Sequence, residues 1–416
     1  MEEREETVAI VDAYSSGNLL APEFKSRRMT CIHIQSELNV PLAAKSSFHC
    51  DDFAANIIHD GEIEKTLRSC RRYPLRCVIA GSETGVELAD RLSEALSLNS
   101  NGSALSRARR DKFKMVSQVR NSGLFTIPSL KTNDFDEALA WVEGVAGWPV
   151  VVKPLRSAGT DSVTTCSSME ELRFVLRATL GKCDQFGSLI SNVIIQKKVK
   201  GREYIVDMVS SNGNHHVTNI WLIVKGSHNG GDFVCEYDQL LTYQEGQQNK
   251  LVEYAVAVVT ALGIEHGPSH TELMLTAEGP VLIETASRLH GAGFPIYSRE
   301  CVGYSQVDLT ADAYVDPLAF EAKTRTPYQL SKNLVIVELI SRVEGKLRAV
   351  STKQIETLTS FYSMKLNVEP GGLIEKTVDV FTCPGHVVLM HQDLELIWHD
   401  YNYLRNLESK DNIYVV

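Results

Sequence analysis

Two glutamates offer the most informative chemistry in the chain. Glu272 and Glu284 stand in TELMLTAEGPVLIET, where apolar runs flank Ala277, Glu278 and Gly279. If those three residues form the loop of a hairpin, Glu272 lies directly across the ladder from Glu284. A register slip of one would separate them. Like charges opposed across a ladder repel, so the pair needs a cation between its members or a proton on one of them. Carboxylate oxygens of this kind suit Mg²⁺, which one or two carboxylates hold together with substrate phosphates. Removing one carboxylate should then relieve repulsion in the free protein. The other reading is two solvated glutamates on an exposed sheet face. Leu273, Leu275, Leu282 and Ile283 argue instead for a sheet with one face buried.

Arg288 follows four residues after Glu284, and His290, Gly291, Ala292 and Gly293 come next. A guanidinium matches phosphate or carboxylate geometry through its planar fork, and glycines let backbone N–H groups approach an oxyanion. A structural pairing of Arg288 with Glu284 fits the spacing equally well. Upstream, Lys153 ends an apolar strand and precedes a small-residue loop containing Ser157, Gly159, Thr160 and Ser162. A lysine there could clamp phosphates, although GxxxxGK[ST] is absent. Lys112, in a basic stretch further upstream, could reach the same phosphates. A solvated helix face is the plainer reading of that lysine. Glu203 in KGREYIVD could hold a ribose diol or be a surface glutamate at a strand start.

The elements that must position these residues fall into blocks. TVAIVDAY, TCIHIQ and RCVIAG read as buried strands alternating with helices, which implies a small open parallel α/β sheet. Gly81 and Gly85 do not complete GxGxxG and are read as easing a tight turn. RARRDKFKMVSQVRNSG carries Phe113, Val116 and Val119 on one helical stripe. Next come a helix over 134–146, the strand WPVVVKP, the capping box Ser168-x-x-Glu171 and the strand VIIQKKV. EYIVDMV and HHVTNIWLIV flank SSNGN, a hairpin pattern with Asn-Gly at its turn. Residues 225–250, with four glycines and little periodicity, read as a mobile loop. A helix over about 248–262 leads into the glutamate hairpin, and the tail ends in an amphipathic helix, DLELIWHDYNYLRNLE.

Composition bounds the class. The chain has 416 residues, 44% hydrophobic and 23% charged, so it is globular and long enough for more than one core. A net charge of -10 argues against nucleic acid or anionic lipid as partner, although a local basic pocket remains compatible with it. No apolar run approaches the length needed to span a bilayer, and the MEEREE start is unlike a signal peptide. Nine cysteines are scattered without CxxC spacing, which fits neither a disulfide framework nor a zinc site. The expectation is a soluble protein of a reducing compartment, the cytoplasm, with a homodimer as the default assembly.

Taken in order, DKFKM, VVVKP with its small-residue loop, IIQKKVKGREYIVD and TELMLT…PVLIETASRLHGAG resemble the ATP-grasp superfamily. Within it the chain is similar to carboxylate–amine ligases such as bacterial L-amino-acid ligases and the dapdiamide-type amide ligase. The resemblance covers nearly the whole chain and implies an α/β (α+β) ATP-grasp fold. The implied divisions are an N-terminal α/β domain over 1–105, a central subdomain over 106–199, a catalytic subdomain over 200–330 and a C-terminal lobe over 331–416. It implies that Lys112, Lys153, Ser157 and Gly159 contact nucleotide phosphates, that Gln196, Lys197 and Val199 form the adenine hinge, and that Glu203 holds the ribose. Glu272 and Glu284 would be Mg²⁺ ligands, and Arg288 and Lys153 catalytic. His270, Arg288 and Gly291 would meet substrate. Ala286 stands where the family has Asn, which leaves the number of ions, one or two, open. The implied reaction joins a small carboxylate to an amino acid or amine through an acylphosphate, with ATP becoming ADP and phosphate, in dipeptide or antibiotic biosynthesis. A carboxylase-type subunit that activates bicarbonate and a non-catalytic ATP-binding module are the alternatives.

Overall fold

The computed structural model of the chain describes residues 6–40, 45–156, 162–184, 187–244, 246 and 248–416. Ser157 and Gly159 therefore lie outside the described residues. Contacts divide the chain into two units, each assembled from three segments. One comprises 1–129, 205–220 and 243–328; the other comprises 130–204, 221–242 and 329–416. The boundaries expected at 105, 199 and 330 fall between regular elements, but contacts group the pieces differently.

The first unit opens with a parallel sheet built from β1 (Thr7–Val11), β2 (Thr30–Gln35), β3 (Ala55–Ile58) and β4 (Leu75–Ala80), in the order β3-β2-β1-β4. All five residues of β1 are buried because side chains alternate between two covered faces. Val8 and Ile10 join one apolar cluster with Leu20 and Phe24, whereas Ala9 and Val11 join another with Val86 and Leu92. Gly81 is needed for close approach rather than for a turn. A Cβ there would lie 2.6 Å from the carbonyl oxygen of Asp12, and one on Gly85 would lie 2.5 Å from that of Val11.

The same unit holds the strands Gly267–Thr276 and Gly279–Ala286. Glu272 does face Glu284, but by a different route from the one expected. The turn has two residues, since Thr276 pairs with Gly279, and the ladder then runs regularly to Leu273 opposite Leu282. Ile283 is an extra residue at a register shift, a β-bulge that brings Glu284 opposite Glu272. Without it, side-chain alternation would carry Glu284 to the buried face. The earlier hairpin turns on Asn212 and Gly213, both at positive φ (51° and 76°), as a two-residue turn of the mirror-image type requires.

In the second unit, Val150–Pro154 pairs antiparallel with Thr164–Cys166 and Val193–Lys197. Ala138, Val142, Leu172 and Leu176 pack against this sheet. A further antiparallel array contains Gly231–Leu240, Asn333–Glu338, Gly385–His391 and Phe361–Leu366. Ile397, Leu404 and Leu407 of the helix Leu394–Ser409 belong to its core. Residues 225–240 are strand and turn, not the loop expected, whereas the described residues from 241 to 248 hold no regular element. Strand pairing continues from Trp221 to His228, turns at Asn229 and Gly230, and returns through Gly231–Leu240. Gly230 serves the turn at φ 92°, and Gly231 serves close packing: a Cβ there would sit 2.1 Å from the carbonyl oxygen of Val378. Among the described residues, no helix is long and apolar enough to cross a membrane.

Candidate active site

In the first unit the helix Lys112–Asn121 is capped by Asp111, whose Oδ1 accepts from the N–H groups of Phe113 and Lys114. This cap fixes Lys112 as the first helical residue. Lys112 is buried, not solvated, and its Nζ donates to Glu284 Oε1 at 2.8 Å. The reading of Lys112 as a surface lysine is thus overturned. A buried ammonium needs such a partner, because leaving it unpaired costs several kcal/mol. On the opposing strand, Glu272 Oε1 lies 3.4 Å from His270 Nε2. Each of the facing carboxylates therefore has its own cationic or protonatable neighbour.

Arg288 is not a partner of Glu284. Its Nε donates to Glu83 Oε2 at 3.2 Å, and Nη1 donates to the carbonyl of Leu289 at 2.8 Å. Glu83 follows β4 and is also paired with Arg110. Burial alone would push its carboxyl up, but Arg110 and Arg288 outweigh that and hold it below the ordinary range. The result is a local excess of positive charge in an acidic protein. Gly291 precedes Ala292 and Gly293, which lie at φ 56° and 80°, and the N–H of Gly293 donates to Ser16 Oγ at 2.9 Å.

Beneath these groups lies a buried carboxylate flanked by two histidines. Asp207 Oδ1 accepts from His270 Nδ1, and Oδ2 accepts from His290 Nδ1, both at 2.9 Å. Burial opposes ionisation of Asp207, but the imidazoles hold its carboxyl well below the usual range. Burial also disfavours a charged His270, yet hydrogen bonds to Asp207 and Glu272 raise it to about 9. His290 is lowered, chiefly by burial, so one imidazolium and one neutral imidazole share the carboxylate.

The second unit carries the other expected residues. Lys153 is buried in Val150–Pro154, where it pairs with Ile194, and Val151 two residues earlier pairs with Gln196 in Val193–Lys197. Gln196 is buried, Lys197 exposed and Val199 half-buried just beyond the strand. Glu203 is no loose surface residue, since Lys225 Nζ donates to its Oε1 at 2.6 Å. Behind that ion pair are two buried acids. Burial first and then Glu338 raise Asp238 to about 8, and burial raises Glu338 to about 7.

Glu83, Arg110 and Asp207 were not anticipated. Glu83 and Arg110 are distant in sequence from Arg288, so spacing carries no sign of their meeting. The run RARRD did hold a clue. Arginines in an apolar-striped segment demand acids when buried, and both Arg109 and Arg110 are buried and paired, Arg109 with Asp90.

Residues 146–295 match the ATP-grasp domain family. The chain is 33% identical over 409 residues to dapdiamide A synthase of Enterobacter agglomerans, covering 97% of this chain and 96% of the relative. Its fold is similar to the crystal structure of L-amino acid ligase from Bacillus licheniformis, with a TM-score of 0.77, 18% identity and 99% of each chain covered. It is also similar to carboxyaminoimidazole ribonucleotide synthase from Aspergillus clavatus complexed with ATP, with a TM-score of 0.70, 17% identity, and 98% and 99% of the two chains covered. Near-complete mutual coverage at that level of identity settles the family: the chain belongs to the ATP-grasp superfamily, among its carboxylate–amine ligases.

Proposed function

We propose that the protein condenses a small carboxylic acid with the amine of an amino acid, converting ATP to ADP and phosphate through an acylphosphate. The observation that carries this reading is the facing of Glu272 and Glu284 beside Lys112, next to the Arg110–Glu83–Arg288 cluster. It is supported by the relationship to dapdiamide A synthase.

A carboxylate does not acylate an amine directly, because oxide would have to leave. In the proposed reaction a substrate carboxylate oxygen attacks the γ-phosphorus of ATP and the bond to ADP breaks. The amine then attacks the acyl carbon, phosphate departs with the bonding electrons, and the nitrogen loses its proton. Glu272 and Glu284 are hard oxygen donors, and the cationic neighbours that each already keeps mark this face as one organised around positive charge. That donor set fits magnesium, which when bound neutralises phosphate charge. Lys112 and Lys153 are assigned to the phosphates. Gln196, Lys197 and Val199 are assigned to the adenine, and Glu203, held by Lys225, to the ribose. Arg288 is assigned to charge developing on the transferred phosphoryl or acyl oxygen. His270 Nε2 is turned to Glu272, so its assignment shifts from substrate contact to support of that glutamate.

The test is mass spectrometry of products from a panel of acids crossed with amines, with ADP, AMP and bicarbonate dependence measured alongside. An amide formed only when both substrates are present, in step with ADP, is the expected result. Turnover that needs bicarbonate instead, or no turnover across the panel, would overturn the proposal.

A further inference from the structure

Two arms of the proposed site in the first unit converge on one buried carboxylate. His270 precedes Glu272 by two residues on the same face of its strand, with Nε2 at 3.4 Å from Glu272 Oε1. His290 follows Arg288 by two residues in the chain segment that leads to the glycine loop. Asp207 accepts from both histidines, one on each oxygen. A second buried side chain laces the same three segments together. Gln306 Oε1 accepts from the N–H of His290 at 2.8 Å, and its Nε2 donates to the carbonyls of Met208 and Ser269 at 3.2 and 2.9 Å. Met208 and Ser269 are the chain neighbours of Asp207 and His270. Asp207, His270, His290 and Gln306 are all buried. Buried charged and polar groups on this scale are costly to desolvate, and an apolar core would be at least as stable.

We propose that Asp207 is a positioning residue, which fixes Glu272 through His270 and the backbone bearing Arg288 through His290, with Gln306 bracing the same segments. The proposal rests on the reading of Glu272 as a magnesium ligand. Its physical content is that a ligating carboxylate is aimed by hydrogen bonds from behind, and losing such a support typically weakens metal affinity or activity about 10–100-fold. The arms are separable: the His270 arm governs metal affinity and the His290 arm governs turnover.

The experiment uses the full chain with Mn²⁺ as the probe, its binding in the presence of ADP followed by electron paramagnetic resonance. Wild type, Asp207→Asn, His270→Gln, His290→Gln and Glu272→Gln are compared. Asp207→Asn and His270→Gln should bind Mn²⁺ about 10–100-fold more weakly. His290→Gln should bind it as wild type does, yet show a lower saturated rate of amide formation. Wild-type Mn²⁺ affinity in Asp207→Asn alongside weakened binding in Glu272→Gln would overturn this proposal and leave the magnesium reading standing. Wild-type affinity in Glu272→Gln would remove the magnesium reading and this proposal with it. Should Asp207→Asn fail to fold, His270→Gln decides by the same criterion. Asp207, His270 and His290 are close enough to chelate an ion among themselves. Stoichiometric transition metal in purified wild type, lost in Asp207→Asn, would therefore overturn the positioning role.

Discussion

The surroundings of Arg288, which we propose acts on charge developing in the reaction, make its prediction sharp. Its Nε and Nη1 are engaged by Glu83 and Leu289, leaving Nη2 with no partner among the described residues. Glu83 keeps Arg110 when Arg288 is removed, so no buried carboxylate is stranded. Arg288→Met should therefore change thermal stability little and leave ATP affinity near wild type. Saturated turnover should fall about 10²–10³-fold, as for loss of one preorganised contact to developing charge. Lysine should rescue only partly, since it supplies charge without the planar fork. Melting curves, ATP titration and saturated rates on both variants check this, and normal turnover in Arg288→Met would sink the assignment. At this scale the legible residues were those close together in the chain. Glu272, Glu284 and Arg288 lie within one short stretch, whereas Lys112 looked like a surface lysine because its partner Glu284 belongs to a distant segment. Glu83 was illegible for the same reason.

Secondary-structure elements decide what those residues face. The hairpin was legible from its apolar runs, but the bulge at Ile283 was not, because a two-residue turn with a bulge and a three-residue turn without one place the glutamates alike. The consequence for Glu284→Gln differs from the simple expectation of relieved repulsion. Glu284 is the carboxylate partner of the buried Lys112 ammonium, so replacing it with a neutral amide should lower the melting temperature modestly. Turnover should fall steeply at ordinary Mg²⁺. A variant that melts higher than wild type would mean that repulsion between the glutamates outweighs the lysine contact. The glycine-bearing strand segments over 225–240 were misread because glycine at a close approach and glycine in a loop look the same in composition. Those strands also carry a pH dependence. Folding raises Asp238 from about 4 to about 8, so the folded state holds a proton that the unfolded chain releases. The stability that this proton contributes is complete below about pH 4 and is lost as pH rises to about 8. Asp238→Asn should therefore show a shallower fall in melting temperature between pH 5 and 8 than wild type. Identical slopes would show that Asp238 is ionised in the folded protein.

For the whole molecule, the parallel N-terminal sheet was legible from alternating buried strands and helices, and the order of the motifs along the chain carried the resemblance to ATP-grasp ligases. The two interleaved units were not legible, since contacts join segments that the chain separates by more than a hundred residues. Overall charge likewise concealed the site: at -10 the protein is acidic, yet Arg110 and Arg288 share the one carboxylate of Glu83, and Lys112 is paired with Glu284. Two guanidinium groups on one carboxylate suit transfer of the terminal phosphoryl group, where the polyphosphate stays cationically clamped and only the γ-group moves. On the proposed route, the protein should form an acylphosphate that a sufficiently small nucleophile can intercept. With ATP, Mg²⁺ and the correct acid, hydroxylamine in place of the amine should yield the acid's hydroxamate, with one ADP and one phosphate for each hydroxamate formed. Without acid, hydroxylamine should produce neither. Arg288→Met should reduce hydroxamate and amide formation in parallel if the arginine acts on acyl phosphorylation, and amide formation alone if it acts only on attack by the amine. Release of AMP and pyrophosphate in place of ADP would mean that the acid is adenylated instead, and the acylphosphate route would be wrong.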